Sequence, residues 1–205
     1  MSLEQNERRT RSLSNTKHTL VALVEDKPGV LNRVSSLLRR RNFNIDSIAV
    51  GHTEQPNLSR MTIIVEGDDA KVEQARKQLD KVIEVVKIVD ITSNESVARE
   101  LALVKVKATA SSRNEIIQIV DIFRANIVDV SSDSVMVEVT GDENKVNSLL
   151  ELLRGFGIRE IARTGRIAVT RGGAGPLQVE EPRETKVSKQ LPKALPPEAD
   201  IPPDW

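Results

Sequence analysis

The 205-residue chain has no cysteine and no tyrosine, and its only aromatic residues are Phe43, Phe123, Phe156 and Trp205. Without cysteine there is no disulfide, no thiolate nucleophile and no thiolate metal site, which suits a reducing compartment. Net charge is missing too. The 30 basic side chains cancel the 30 acidic ones, so no bulk field is available to hold nucleic acid or an anionic membrane. No apolar run reaches the roughly 18 residues of a bilayer span, and the N-terminus has no apolar signal-peptide core. These absences predict a soluble cytoplasmic protein.

Catalytic signatures are equally scarce. Neither GxSxG nor HExxH occurs, and both glycine-rich nucleotide loops, GxxxxGK[ST] and GxGxxG, are lacking. The histidines are only His18 and His52, too isolated to suggest zinc and expected at the surface. The acidic pair Asp68-Asp69 stands where a helix begins, and the helix dipole accounts for it. No catalytic residue and no metal site is expected.

Proline is concentrated at one end, with seven of the nine after Arg171: Pro176, Pro182, Pro192, Pro196, Pro197, Pro202 and Pro203. Proline gives no amide hydrogen, and this stretch has too little apolar surface to offset ordering, so 171–205 reads as a disordered tail. Residues 1–16 are polar and read as flexible.

Between the ends a pattern of strand, helix, strand, strand, helix, strand occurs twice. "HTLVALVE" is a strand, and Val30, Leu31, Val34, Leu37 and Leu38 then fall on one helical face. "FNIDSIAVG" and "SRMTIIVEG" form a hairpin around "HTEQPN"; "DDAKVEQARKQLDKV" is the second helix and "EVVKIVDIT" the closing strand. The second copy runs from "ELALVKVKA" to "IREIARTG". Asn44 and Asn126 lie 82 apart but Val65 and Val139 lie 74 apart, and the eight missing residues are expected in the hairpin loop. The fold class is α+β, two tandem ferredoxin-like βαββαβ sandwiches over 17–93 and 99–168. An RNA-binding sheet of the same strand order needs aromatic stacking residues, and these strands carry none.

The stretch "VALVEDKPGVLNRV" (residues 21–34) is the one that suggests a site. Pro28 ends the strand pairing, Gly29 lets another group approach the backbone, and the free amides of the next helix point outward. Such a corner suits a small anion such as a carboxylate, while Asp26 could receive an ammonium group. On local sequence alone, "DKPG" is also a good β-turn and Asp26 a natural cap. Asn44, after the basic "RRR", likewise fits a left-handed helix cap.

"LVEDKPGVLNRVSSLLRRRNFNIDSIAVGHTEQPNLSRMTIIVEGD" resembles the ACT domain of acetolactate synthase small subunits, and the similarity continues through "RANIVDVSSDSVMVEVTGDENKV". The resemblance implies a non-catalytic regulatory subunit that activates a catalytic large subunit and confers feedback inhibition by valine or another branched-chain amino acid. It further implies a homodimer through the ACT domains, with the effector between two chains. Matched positions are Asp26, Lys27, Pro28, Gly29, Val30 and Leu31 on one chain, facing Asn44 and Ile45 on the other. Relatives often carry Asn where this chain has Asp26. Arg60, in "LSRMT", would contact the catalytic partner, although an arginine beside a strand is more often a solvated edge residue. Thiamin diphosphate, FAD and magnesium would belong to the large subunit, with no cofactor in this chain. A stand-alone ACT module serving a different enzyme is the alternative.

Overall fold

The structure, a computed structural model, describes residues 16–172. Most of the expected flexible N-terminus and of the proline-rich tail lies outside the described residues. Thr16 already belongs to the first strand. The N-terminal unit runs β1 (Thr16–Glu25), α1 (Val30–Arg40), β2 (Asn44–His52), β3 (Leu58–Gly67), α2 (Asp69–Leu79) and β4 (Val85–Asp90). The C-terminal unit runs β5 (Ser96–Lys107), α3 (Arg113–Ile122), β6 (Asn126–Val130), β7 (Ser134–Gly141), α4 (Glu143–Arg154), β8 (Ile158–Arg163) and β9 (Ile167–Thr170). The sheet orders are β2-β3-β1-β4 and β6-β7-β5-β8, antiparallel throughout. This is the α+β fold read from the repeat.

Each helix follows from its apolar spacing. Val30, Val34 and Leu38 of α1 are buried, as are Val72, Ala75 and Leu79 of α2, and they pack on Leu20, Ala22 and Val24 of β1. Each large side chain removed from water in this way contributes about 1.5–3 kcal/mol before ordering costs. The C-terminal core repeats the layer with Ala102, Val104 and Val106 under Ile116, Val120 and Leu149. α1 stops where Asn42 turns left-handed at φ 58° and Phe43 N–H bonds back to Leu38 O at 3.1 Å. The cap is therefore Asn42, and Asn44 instead opens β2.

Three features depart from the sequence reading. The shorter second hairpin loses length mainly from its arms: β2 has 9 residues against 5 in β6, and β3 has 10 against 8 in β7. Antiparallel partners can be removed together without changing which residues face the core. His18 is not at the surface but 4% exposed, with Nδ1 3.1 Å from Asp90 Oδ2 and Nε2 3.1 Å from Thr16 Oγ1. Last, β5 begins four residues earlier than expected, and Ser96–Arg99 pair with β9. The βαββαβ template is complete at β8, so nothing in the repeat announces this extra strand.

β9 and the start of β5 lie against the back of the N-terminal sheet. There Val21 and Ile91 pack with Ala168, flanked by Val89 and Ala98. β1 is consequently buried on both faces, by helices on one side and by the C-terminal unit on the other. Its continuous apolar run "LVALV" is the sequence counterpart.

Candidate functional site

The turn between β1 and α1 is built by the backbone. Asp26 N–H donates to Asn57 O at 2.8 Å and Lys27 N–H to Glu25 O at 3.0 Å. Gly29 is left-handed, φ 87° and ψ −10°, a conformation that costs an L-residue about 1–2 kcal/mol. A Cβ there would meet nothing within 4 Å, so the space above the corner is open. Val30 N–H reaches Lys27 O at 3.4 Å and Arg33 N–H returns to Gly29 O at 3.0 Å, while the amides of Leu31 and Asn32 meet no acceptor among the described residues.

The other helix starts make a contrast. No side chain caps α1 and no acidic residue stands in its first turn. Asp68 accepts Lys71 N–H at 2.8 Å on α2, and Asp142 accepts Lys145 N–H at 2.8 Å on α4. At α3, the counterpart of α1 in the second copy, Thr109 N–H donates to Ser112 Oγ at 3.0 Å and Ser112 N–H to Thr109 Oγ1 at 3.3 Å. No side chain caps α3 either, but its first turn carries Glu115 and the turn before it is tied by these hydroxyls, whereas α1 and the turn before it have neither.

Side chains around the corner are charged and mostly exposed. Lys27 Nζ folds back to Glu25 Oε2 at 2.8 Å, a bond that raises the lysine pKa. Asp26 Oδ2 lies 3.3 Å from His52 Nδ1. Leu31 is 47% exposed, an apolar side chain beside free amides. Arg33 is paired to Glu84, which ties the first turn of α1 to the segment before β4. The β2–β3 hairpin also braces the turn, through His52 and the carbonyl of Asn57, whose own φ is 63°.

Asn44 and Ile45 stand elsewhere. They follow α1, and an 11-residue helix at 1.5 Å per residue puts about 16 Å between its ends. Within one chain they do not meet the Asp26–Leu31 turn. Asn44 Nδ2 bonds Glu66 Oε2 at 3.4 Å, and Ile45 is half-buried against the core. Asn126 makes a similar bond to Glu138 at 3.2 Å, so part of what Asn44 does is to secure the start of an edge strand. Arg60 is half-buried, with Nη2 donating to Ala168 O at 2.9 Å, and burial lowers its pKa. Its visible contact is within the chain.

Residues 20–87 match the family described as the AHAS small subunit-like ACT domain, and residues 99–172 the family described as the small subunit of acetolactate synthase. A probable acetolactate synthase small subunit of Archaeoglobus fulgidus is 58% identical over 76% of this chain and 98% of its own length. The acetolactate synthase small subunit of Mycolicibacterium smegmatis is 56% identical, covering 77% and 93%. The chain belongs to the acetolactate synthase small-subunit family. The crystal structure of the acetolactate synthase small subunit from Thermotoga maritima shares the fold at 44% identity and TM-score 0.71, over 77% of this chain and 98% of that one.

As a small subunit of acetolactate synthase this is a regulatory chain, not the catalytic one, and a small subunit implies a large subunit as partner. Among the described residues no group of His, Cys, Asp and Glu is placed to hold a metal ion, and no helix is long and apolar enough to cross a membrane. Sequence reasoning missed the residues that support the small subunit's turn, Asn57, His52, Arg33 and Glu84. The "HTEQPN" loop was read only as a connector, and nothing local reveals that its backbone anchors Asp26.

Proposed function

We propose that this chain activates the acetolactate synthase large subunit and lowers that activity when valine or another branched-chain amino acid binds between two copies of it. The effector carboxylate is held by amides just past Gly29, its ammonium group faces Asp26, and its side chain lies on Val30, Leu31 and the partner protomer's Ile45, with Asn44 adding a polar contact. One observation carries this reading: α1 starts with open amides over an unfilled space, while Asn44 and Ile45 lie a helix length away.

Two halves so separated meet if a second chain packs with α1 running the opposite way. β2 is an edge strand with α1 beside it, and pairing two β2 edges about a two-fold axis gives that arrangement and an isologous interface. The effector acts by binding one arrangement of the holoenzyme better than another, since only differential affinity shifts a population. Thiamin diphosphate, FAD and magnesium reside in the large subunit, and the complex works in the cytoplasm.

Gly29→Asp tests the site, because it sets bulk and negative charge where the carboxylate enters. In reconstituted holoenzyme, inhibition by valine should disappear while activation persists. Inhibition equal to that of the unmodified subunit would sink the assignment. Calorimetry of the chain against valine, leucine and isoleucine identifies the effector.

A further inference from the structure

We propose that the signal from an occupied effector turn leaves the N-terminal unit through β2 and enters the C-terminal unit at a clasp centred on Glu143. The proposal rests on the effector site described above and adds its route. Ile45, on the receiving half of that site, is followed by a break in the β2–β3 ladder, which slips between Ile45 and Ser47 and leaves Asp46 as the bulged residue.

What Asp46 and Ser47 touch makes the bulge consequential. Lys17 Nζ donates to Asp46 Oδ2 at 3.0 Å and to Glu143 Oε1, at the start of α4, also at 3.0 Å. The pKa of Lys17 is raised by Glu143 first and Asp46 second. The second oxygen of Glu143 takes Arg166. Next along β2, Ser47 Oγ accepts Arg166 N–H at 3.5 Å. Gly165, at φ 79°, passes so close that a Cβ on it would come 3.3 Å from Ser47 Cβ. Asp46, Ser47, Glu143, Gly165 and Arg166 rim a cleft of about 360 Å³ between the two units. One lysine thus shares its charge between a carboxylate of each unit, and the shared point is next to an effector residue.

If the bulge moved by one residue along the edge strand, the side chain at that point would turn to the opposite face, which would take Asp46 off Lys17 and shift Ser47 against Gly165. An effector that favours one position of the bulge therefore changes how tightly Glu143 and Arg166 are held. Couplings between linked sites typically amount to about 5- to 150-fold in affinity, and the clasp should carry an effect of that order.

The test uses the full-length chain with Glu143→Ala, and separately Gly165→Ala, neither in the effector turn. Valine affinity is measured on the chain by calorimetry, and the half-inhibiting valine concentration on the reconstituted holoenzyme. Because coupling is reciprocal, both variants should change valine affinity in the same direction by about fivefold or more, with activation retained and the half-inhibiting concentration raised at least about fivefold. Valine affinity and inhibition both unchanged in both variants overturns the clasp alone. Complete loss of valine binding by Glu143→Ala overturns it too, since Glu143 would then be supporting the binding site itself. No valine heat with the unmodified chain overturns the effector site and the clasp together.

Discussion

Single residues decide whether a helix start is closed or open. Asp68 and Asp142 spend their carboxylates on their own helices, whereas Asp26 lies beyond α1 and leaves its amides alone. Glu73 shows what a committed carboxylate looks like. Arg76 donates to both its oxygens, at 2.7 and 2.8 Å, and that bond holds its pKa down to about 2. Because the folded value is depressed, the pair stabilises the protein above the unfolded pKa of about 4.5 and the benefit fades as pH falls through about 2. Denaturation of the unmodified protein and Glu73→Gln should therefore differ near pH 6 and converge near pH 2. Pro28-Gly29 was legible as a corner because proline and glycine advertise backbone geometry in any context. His18 was not. A histidine in an apolar strand reads as surface until Asp90 arrives from a distant part of the chain to join the neighbouring Thr16.

At the scale of elements, α1 sets the site's geometry. Its length separates the turn from Asn44, which is why the proposed site draws its two halves from two chains, and its buried face keeps both ends fixed on the sheet. Leu38, fully buried in the last turn, anchors the end near Asn44. Leu38→Ala should lower stability by about 2–5 kcal/mol through the cavity it leaves, seen as a lower urea midpoint with an unchanged slope. The helices and most strands were readable because periods of 3.6 and 2 separate cleanly in this chain. β9 was not, since "IAVT" is a four-residue strand beyond a finished template, and only the surface it covers gives it a reason to exist. The hairpin deletion was located correctly between Asn126 and Gly141, yet it took paired residues from both arms where a loop change was expected.

Across the whole molecule, the same four-strand order occurs twice, and only the second copy adds β9. The turn before α1 holds Pro28-Gly29 with no hydroxyl in it, while the turn before α3 is tied by Thr109 and Ser112. Val50, at 49% exposure on the edge strand β2, is placed to lie in the proposed two-fold interface. Val50→Asp should shift the chain from dimer toward monomer at micromolar concentration in sedimentation velocity, whereas an unchanged sedimentation coefficient would move the interface elsewhere. The order of the strands and helices was legible in the repeat. The packing of one unit on the other was not, because it depends on Ala168 and Gly165, small residues whose value is the space they leave.

The doubly covered β1 strand also limits how this gene product can be dismantled. Cleavage in the Thr92–Glu95 connection followed by separation of the two units would bare Val21 and Ile91, which are 0% and 3% exposed in the intact chain. An N-terminal unit cut loose in this way would be sticky, so it would not persist as a free-standing fragment without something else taking over the vacated face.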